Sequence, residues 1–243
     1  MTNPTRSINA PHIRYRSYSI MTRTAADPIL LSLFANRFMA VAESMGRSLQ
    51  QTSISTNIKE RLDFSCAIFA PDGSLIANAP HLPVHLGSMS FAVQYQAKNL
   101  HTLGKGSFKR GDVVLTNHPV AGGSHLPDIT CITPVFAPDR DEIIFFTASR
   151  GHHADIGGIL PGSMPPTRKT LFEEGAQIRS FKIVAEGVYD REGLVRLLVE
   201  EPARYPGCSG TRCFHDVESD LQAQIAANHK GIQLINDLVE EWG

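Results

Sequence analysis

The stretch ITCITPVFAPDRDEIIFFTAS, residues 129–149, contains two apolar runs of equal length. Residues 129–136 and 142–149 are rich in β-branched and aromatic side chains, which favour extended strands. The residues between them, APDRD at 137–141, include the proline and aspartates that are typical of turns. The stretch is therefore predicted to form a β-hairpin.

The rest of the chain predicts helices around further sheet segments. Asp27 and Pro28 are typical of a helix start, and apolar residues then recur at helical spacing from Leu30 to Leu49 in what is expected to be one buried stripe. The other predicted elements are a hairpin of residues 64–69 and 75–79 around Asp72-Gly73, a helix from 88 to about 100, a strand at 112–115 and a helix from 217 to the chain end. The expected fold class is α+β, with hairpin-rich mixed sheet segments flanked by N-terminal and C-terminal helices.

Two regions are predicted along the chain. Residues 1–26 are expected to be a flexible N-terminal arm, and residues 27–243 a single domain. The last helix keeps its apolar stripe up to the chain end, so we expect this domain to be truncated at its C-terminus and to associate through exposed apolar surface as an oligomer. The arm carries arginines but no acidic residue, which resembles a mitochondrial targeting peptide. Because it lacks a continuous apolar face, a cytoplasmic location is expected.

Composition excludes several classes of partner. The chain has 23 Lys and Arg against 24 Asp and Glu, so its net charge is close to zero. Such a charge does not indicate binding to nucleic acid or to an anionic membrane. The apolar runs are far shorter than the roughly 20 residues that a membrane span needs. No nucleic acid and no membrane are therefore expected as partners. The four cysteines form no CxxC pair and are expected to be reduced thiols.

Two polar segments flank the predicted hairpin, GGSHLPDIT at 122–130 and SRGHHADIGG at 149–158. If the turn centres on Asp139, Asp128 lies opposite Arg150 and His125 lies opposite His153, so the two segments meet even after a small register error. His125 and Asp128, with one or both of His152 and His153, would then offer nitrogen and oxygen ligands without a thiolate. Such a set suits Mn²⁺ or Zn²⁺ with open coordination positions. A polar turn without a metal is the alternative.

Other residues are candidates for contacts with a substrate. Arginine matches a carboxylate bidentately, which makes Arg61, Arg150 and Arg168 candidates, although each could instead form a structural ion pair. His81 and His85, in PHLPVHLGSM at 80–89, are expected near Asp63 by the register of the first hairpin. They could bind substrate, support the metal ligands or only hydrogen-bond to the loop backbone.

Familiar nucleotide and hydrolase motifs are absent from the sequence. LGKGS at 103–107 lacks the glycine that a phosphate-binding loop requires, because Asn99 stands at that position. No GxGxxG follows a predicted strand, and neither Ser124 nor Ser209 lies in GxSxG.

Three long segments resemble the hydantoinase B/oxoprolinase family: 57–89, 111–136 and 148–166, the last reading ASRGHHADIGGILPGSMPP. The resemblance runs from about Asp27 to Gly243, includes RYPGCSGTR at 204–212, and implies a partial hydantoinase B-type domain. The implied activity is that of an ATP-dependent amide hydrolase that converts 5-oxo-L-proline to L-glutamate, a reaction of glutathione metabolism. The resemblance also implies a metal held through an HxxD pair and a later histidine, which correspond to His125, Asp128 and either His152 or His153.

The implied partner is a hydantoinase A-like half or subunit, which would bind ATP as co-substrate. The sequence departs from the family pattern in lacking that half, in stopping partway through the B-like half and in reading NHPV at 117–120. The sequence is also consistent with two other functions. The chain could be a subunit of a hydantoin-opening amidohydrolase, or an inactive fragment that serves only in assembly.

Overall fold

A computed structural model describes residues 27–79, 85–100, 102–162 and 165–242. The predicted N-terminal arm lies outside the described residues. The helices are α1 (Pro28–Thr52), α2 (Thr56–Lys59), α3 (Leu86–Asn99), α4 (Arg191–Val195), which continues as the π-helical segment Arg196–Glu200, and α5 (Phe214–Trp242). The strands are β1 (Phe64–Phe69), β2 (Leu75–Asn78), β3 (Val113–Thr116), β4 (Asp128–Phe136), β5 (Ile143–His152), β6 (Phe181–Ala185) and β7 (Val188–Tyr189).

All seven strands of the described region belong to one sheet, with the order β2-β1-β5-β4-β3-β6-β7. Each neighbouring pair is antiparallel. The two predicted hairpins are present, so the expected α+β class with flanking helices is confirmed. The hairpin of β4 and β5 lies at the centre of the sheet, where β1 and β3 cover its two edges.

The register of the central hairpin differs from the prediction. Ile129 pairs with Gly151 rather than with Ser149, and Asp128 pairs with His152 rather than with Arg150. A β-bulge after Val135 adds a residue to β5, and the turn is centred beyond Asp139. The two polar segments still meet, because β4 begins and β5 ends at the same edge of the sheet.

Helices cover both faces of the sheet, which explains why β1 is buried along its whole length. Phe64, Cys66 and Ile68 face the cluster formed with α1 and α5, whereas Ala67 and Phe69 face α3. Side chains alternate between the two faces of a strand, so each face of β1 contributes to a separate core. No helix of the described residues is both long enough and apolar enough to cross a membrane.

The two long helices are only partly buried. Asp27 caps α1 by accepting a hydrogen bond from the backbone nitrogen of Ile29 at 2.9 Å, as its position before proline predicts. The expectation of one continuous buried stripe is wrong for the first turns, because Leu30 is 43% exposed and the core begins farther along the helix. Phe34 instead contacts Trp242 near the end of α5, with ring centroids 5.3 Å apart.

Candidate metal centre

Asn117 fixes the loop that carries His125. Its Nδ2 donates to the backbone oxygens of Leu126 at 2.7 Å and Ala176 at 2.9 Å, and its Oδ1 accepts from the backbone nitrogen of Ile178 at 2.7 Å. This side chain is buried, where an unmade hydrogen bond costs more than the average bond contributes. The loop therefore has a defined path into β4.

The glycine pair at 122–123 lets this loop pack closely against its neighbours. Gly122 has φ of 84°, a left-handed conformation that glycine adopts readily, and a Cβ there would lie 2.3 Å from the backbone nitrogen of Ala92. A Cβ on Gly123 would lie 1.8 Å from the backbone oxygen of Asn117. Both contacts are with backbone atoms, so a side chain could be accommodated only by moving the loop.

Gly123→Ala is expected to lower the free energy of unfolding by about 1–3 kcal/mol or more, because the added methyl group overpacks the loop against Asn117. Urea unfolding followed by circular dichroism measures this effect. Gly87→Ala is the matched control, since a Cβ at that exposed position in α3 meets nothing within 4 Å. Equal unfolding free energies for the two variants would contradict the close packing of the loop.

The side chains of His125, Asp128 and His152 form a compact group. One potential ligand atom from each lies within 4.8 Å of the others. Asp128 Oδ1 is 3.0 Å from His152 Nδ1, and Asp128 Oδ2 is 3.1 Å from His125 Nδ1. His125 Nε2 is 3.1 Å from His152 Nδ1. The pairing of Asp128 with His152 across the hairpin is what brings the two polar segments into contact.

The carboxylate is the buried centre of this group. Asp128 is 1% exposed, whereas the side chain of His125 is 24% exposed and forms the solvent side. Burial alone would raise the pKa of Asp128, but hydrogen bonds with His125, His152 and Ser124 outweigh it and hold the pKa of this carboxyl well below its usual range. The group therefore contains a fixed negative charge.

The structure places the two adjacent histidines differently. His152 belongs to the compact group, whereas His153 Nε2 lies 2.9 Å from Gln224 Oε1 on α5. Gln224 Nε2 donates to the backbone oxygens of Ile129 and Ser149, so its Oε1 is the acceptor for a proton on His153 Nε2. Burial lowers the pKa of His153, which favours the neutral ring. The geometry therefore places His152, and not His153, in the compact group with His125 and Asp128.

We expect His152→Gln to weaken Mn²⁺ binding by more than about tenfold, the lower end of the loss from outer-shell partners, and His153→Gln to change it by less than about threefold. The first variant removes a member of the group, whereas the second replaces the ring of His153 with an amide that can still donate to Gln224 Oε1. Isothermal titration of each purified variant measures the affinity. A larger loss from the change at His153 would show that the wrong histidine has been assigned.

The side chain of Arg150 is buried within the protein and is not open to solvent. Its guanidinium is fully buried and donates to Thr130 Oγ1 at 2.7 Å, to the backbone oxygen of Gly122 at 3.0 Å and to Ser88 Oγ. Burial lowers the pKa of Arg150 to about 10, opposed by the charge of Asp128, so it stays protonated at neutral pH. All three partners belong to the protein, which leaves no free face for the predicted contact with a substrate carboxylate.

The other residues predicted to contact a substrate are Arg61, His81, His85 and Arg168. Arg61 is exposed just after α2. His81 lies outside the described residues. His85 is buried beside the compact group, with its Nε2 3.5 Å from Asp128 Oδ2. Arg168 is paired with the buried Glu174, as the structural alternative predicted.

Asp63 was not among the predicted ligands, although the structure places it beside the group. Its backbone oxygen accepts a hydrogen bond from the backbone nitrogen of His152 at 3.0 Å. Asp63 immediately precedes β1, and Phe64 of β1 pairs with Gly151. The first hairpin alone could place Asp63 near His85, but its neighbour His152 depends on the pairing of β1 with β5, which joins distant parts of the chain.

The donor set fits a divalent metal ion. Two imidazole rings and one ionised carboxylate, without a thiolate, suit Mn²⁺ or Zn²⁺. Three protein donors also leave coordination positions for water or a substrate atom, which is typical of catalytic rather than structural sites. The fold and the site thus define an antiparallel-sheet protein with a candidate mononuclear metal centre at one edge of its central hairpin.

Comparison with known proteins places the chain in a family. The hydantoinase B/oxoprolinase profile matches residues 27–243. The 5-oxoprolinase of Saccharomyces cerevisiae is 60% identical over 216 residues, covering 89% of this chain and 16% of that protein. The 5-oxoprolinase 1 of Arabidopsis thaliana is 58% identical over 228 residues, covering 92% of this chain and 17% of that protein.

A solved structure agrees with the fold. The ATP-dependent caprolactamase from Pseudomonas jessenii superposes with a TM-score of 0.73 at 29% identity, covering 90% of this chain and 35% of that one. The chain belongs to the hydantoinase B/oxoprolinase family. It spans about one sixth of the length of the curated 5-oxoprolinases that it matches.

Proposed function

We propose that this chain is the metal-bearing part of an ATP-dependent 5-oxoprolinase, which hydrolyses 5-oxo-L-proline to L-glutamate. The proposal rests on the 60% identity of this chain to a curated 5-oxoprolinase, across a region that includes the compact His125, Asp128 and His152 group. The second curated relative, at 58% identity, bears the same name. These relatives favour 5-oxoproline over hydantoin as the substrate.

The chemistry requires more than a metal ion. An unstrained lactam is a poor electrophile, so its carbonyl oxygen must be activated before water can open the ring. The resemblance to the family implies that ATP supplies a phosphoryl group to that oxygen. We propose that a hydantoinase A-like half or subunit binds the nucleotide. In keeping with this, LGKGS at 103–107 lies in a turn after α3 and is followed by β3, not by the helix of a phosphate-binding loop.

The residues of this chain would orient the reacting groups. His125, Asp128 and His152 would hold the metal, which when bound supplies Lewis-acid polarisation. Asn117 and Arg150 fix the loop and the strand ends that carry these side chains. The exposed side of His125 is the face at which a substrate would approach. Asp128 and His152 are buried on the other side of the group.

The proposal is tested by measuring glutamate and ADP released from 5-oxoproline and ATP. The chain is assayed alone and together with a hydantoinase A-like polypeptide, with Asp128→Asn as the inactive counterpart. Glutamate release that needs ATP, the A-like polypeptide and Asp128 is the expected result. Opening of hydantoin in preference to 5-oxoproline would favour the hydantoinase alternative. No turnover of either substrate by the combined proteins would favour a role in assembly only.

A further inference from the structure

A cavity of about 590 Å³ lies between β6 and α4. Residues between Gln177 and Lys182 line one side, and residues between Asp190 and Glu201 line another. Small-molecule sites commonly have volumes of about 300–1,000 Å³, so this β6–α4 cavity is large enough to hold a ligand. None of its lining residues belongs to the compact group at the candidate metal centre.

The lining of the β6–α4 cavity is rich in unpaired positive charge. Within the described region, three of its cationic side chains form no hydrogen bond or ion pair: Lys105, Arg179 and Arg196. A fourth, Lys182, is already paired, because its Nζ lies 2.6 Å from Asp112 Oδ2 and donates to the backbone oxygen of Ser107 at 3.0 Å. Lys182 thereby holds the turn that carries Lys105 against β6. The free cations come from three separate segments that fold together at this cavity.

Arg179 projects from a fixed backbone. Its backbone oxygen accepts from Gln96 Nε2 at 2.6 Å and from Thr116 Oγ1 at 3.1 Å. His118 lines the cavity as well, where burial and then the charge of Arg179 lower its pKa and favour the neutral ring. His118 Nδ1 accepts from the backbone nitrogen of Val120 at 3.1 Å, so the proton of the neutral ring is on Nε2. This nitrogen is a further donor.

Ser180 adds a hydroxyl that has no partner. Its Oγ is buried and forms no hydrogen bond with any described residue, although Ser180 lines the cavity. Buried polar atoms are nearly always hydrogen-bonded, so an unpaired one indicates that a bound molecule or water meets it. The hydroxyl directly follows Arg179 along the chain, which favours a ligand that accepts hydrogen bonds.

The wall that carries Arg196 has an unusual backbone. Arg196–Glu200 is π-helical, and the backbone nitrogen of Glu201 donates to the oxygen of Arg196 at 2.9 Å, five residues back. Turns of π-helix are rare and occur frequently at functional sites. Here the π-helical segment presents Arg196 and Leu197 to the cavity.

Two carboxylates also line the cavity without cancelling its charge. Asp190 Oδ1 accepts from the backbone nitrogen of Gly193 at 2.8 Å and so caps α4. Glu201 lines a second cavity too, of about 310 Å³, and therefore lies where the two cavities meet. Since Lys182 is balanced by Asp112, three cations remain against these two carboxylates, and the lining keeps a net positive charge.

We propose that the β6–α4 cavity binds a small molecule that carries a phosphate group. A phosphate group has three strong acceptor oxygens and up to two negative charges, so several donors can meet it at once. Arginine binds phosphate through two parallel N–H groups. Phe181 and Leu197 provide apolar contact for the rest of the molecule. The inference goes beyond the proposed function and does not depend on it.

The test is isothermal titration of the purified, metal-free chain with inorganic phosphate, ADP and L-glutamate at constant ionic strength. Arg179→Gln and Arg196→Gln are each expected to raise the Kd for phosphate or ADP by about tenfold, the factor that corresponds to one hydrogen bond to a charged group. Arg47→Gln is the matched control, because Arg47 is an exposed arginine of α1 that pairs with Glu43. It should leave the affinity unchanged. The tighter of phosphate and ADP identifies the source of the phosphate group.

Ser180→Ala separates binding from folding. Removing an unpaired buried hydroxyl should not lower the melting temperature of the unliganded chain, yet it should weaken phosphate binding. Phosphate binding that falls in all three cavity variants while melting is preserved would support the inference. It would be overturned by a native chain that binds neither phosphate nor ADP, by equal affinities in the native and arginine variants, or by tighter binding of glutamate. Each of these failures leaves the proposed function intact, because the metal centre uses other residues.

Discussion

Replacing Asp128 by asparagine lowers the affinity of the protein for Mn²⁺ by more than about 100-fold, because outer-shell partners alone contribute about 10–100-fold. Asp128 is the only anion of the compact group, and its carboxylate lies between both imidazole rings. An amide offers a weaker oxygen donor and no charge to offset that of the ion. Titration with Mn²⁺ in a buffer without chelators measures the loss.

Asp72→Asn is the control for this change. Asp72 is exposed in the turn between β1 and β2, where its Oδ1 accepts from the backbone nitrogen of Ser74 at 2.8 Å. Asparagine can accept the same bond, so folding and metal affinity should be preserved. An Asp128→Asn protein that binds Mn²⁺ within about tenfold of the native affinity would remove Asp128 from the ligand set.

Arg150→Met is expected to reduce the free energy of unfolding by roughly 3 kcal/mol or more, because a buried hydrogen bond from a charged donor contributes about 1.5–3 kcal/mol and three are lost. Methionine fills part of the space but leaves the hydroxyls of Thr130 and Ser88 and the carbonyl of Gly122 without their donor. The loop that carries His125 loses its anchor as well. Urea unfolding of the metal-free protein separates this effect from metal binding.

The same substitution at Arg61 provides the control for Arg150. Arg61 is exposed, and surface substitutions of this kind usually change stability by no more than about 0.5 kcal/mol. A destabilisation of similar size in Arg61→Met and Arg150→Met would show that the buried hydrogen bonds of Arg150 contribute little.

The sequence predicts features that depend on neighbouring residues. Two apolar runs separated by turn residues are sufficient to predict the hairpin of β4 and β5. Asp27 before a proline is sufficient to predict the start of α1. The hairpin then brings His125 and Asp128 to the segment of His152, because both strand ends lie at one sheet edge.

Other features depend on contacts between distant segments. A bulge within β5 shifts the register, and adjacent strand residues point to opposite faces, so the choice between His152 and His153 could not be made from sequence. The burial of Arg150 requires α3 and the glycine loop to cover it. The position of Asp63 requires β1 to pair with β5 rather than only with β2.

The most direct measurement is X-ray diffraction from crystals of the chain grown with Mn²⁺, with data collected at the manganese absorption edge. We expect one strong anomalous peak in contact with His125, Asp128 and His152, and none in contact with His153. A map with no peak at this group, from protein that is folded and saturated with Mn²⁺, would contradict the assignment of the metal centre.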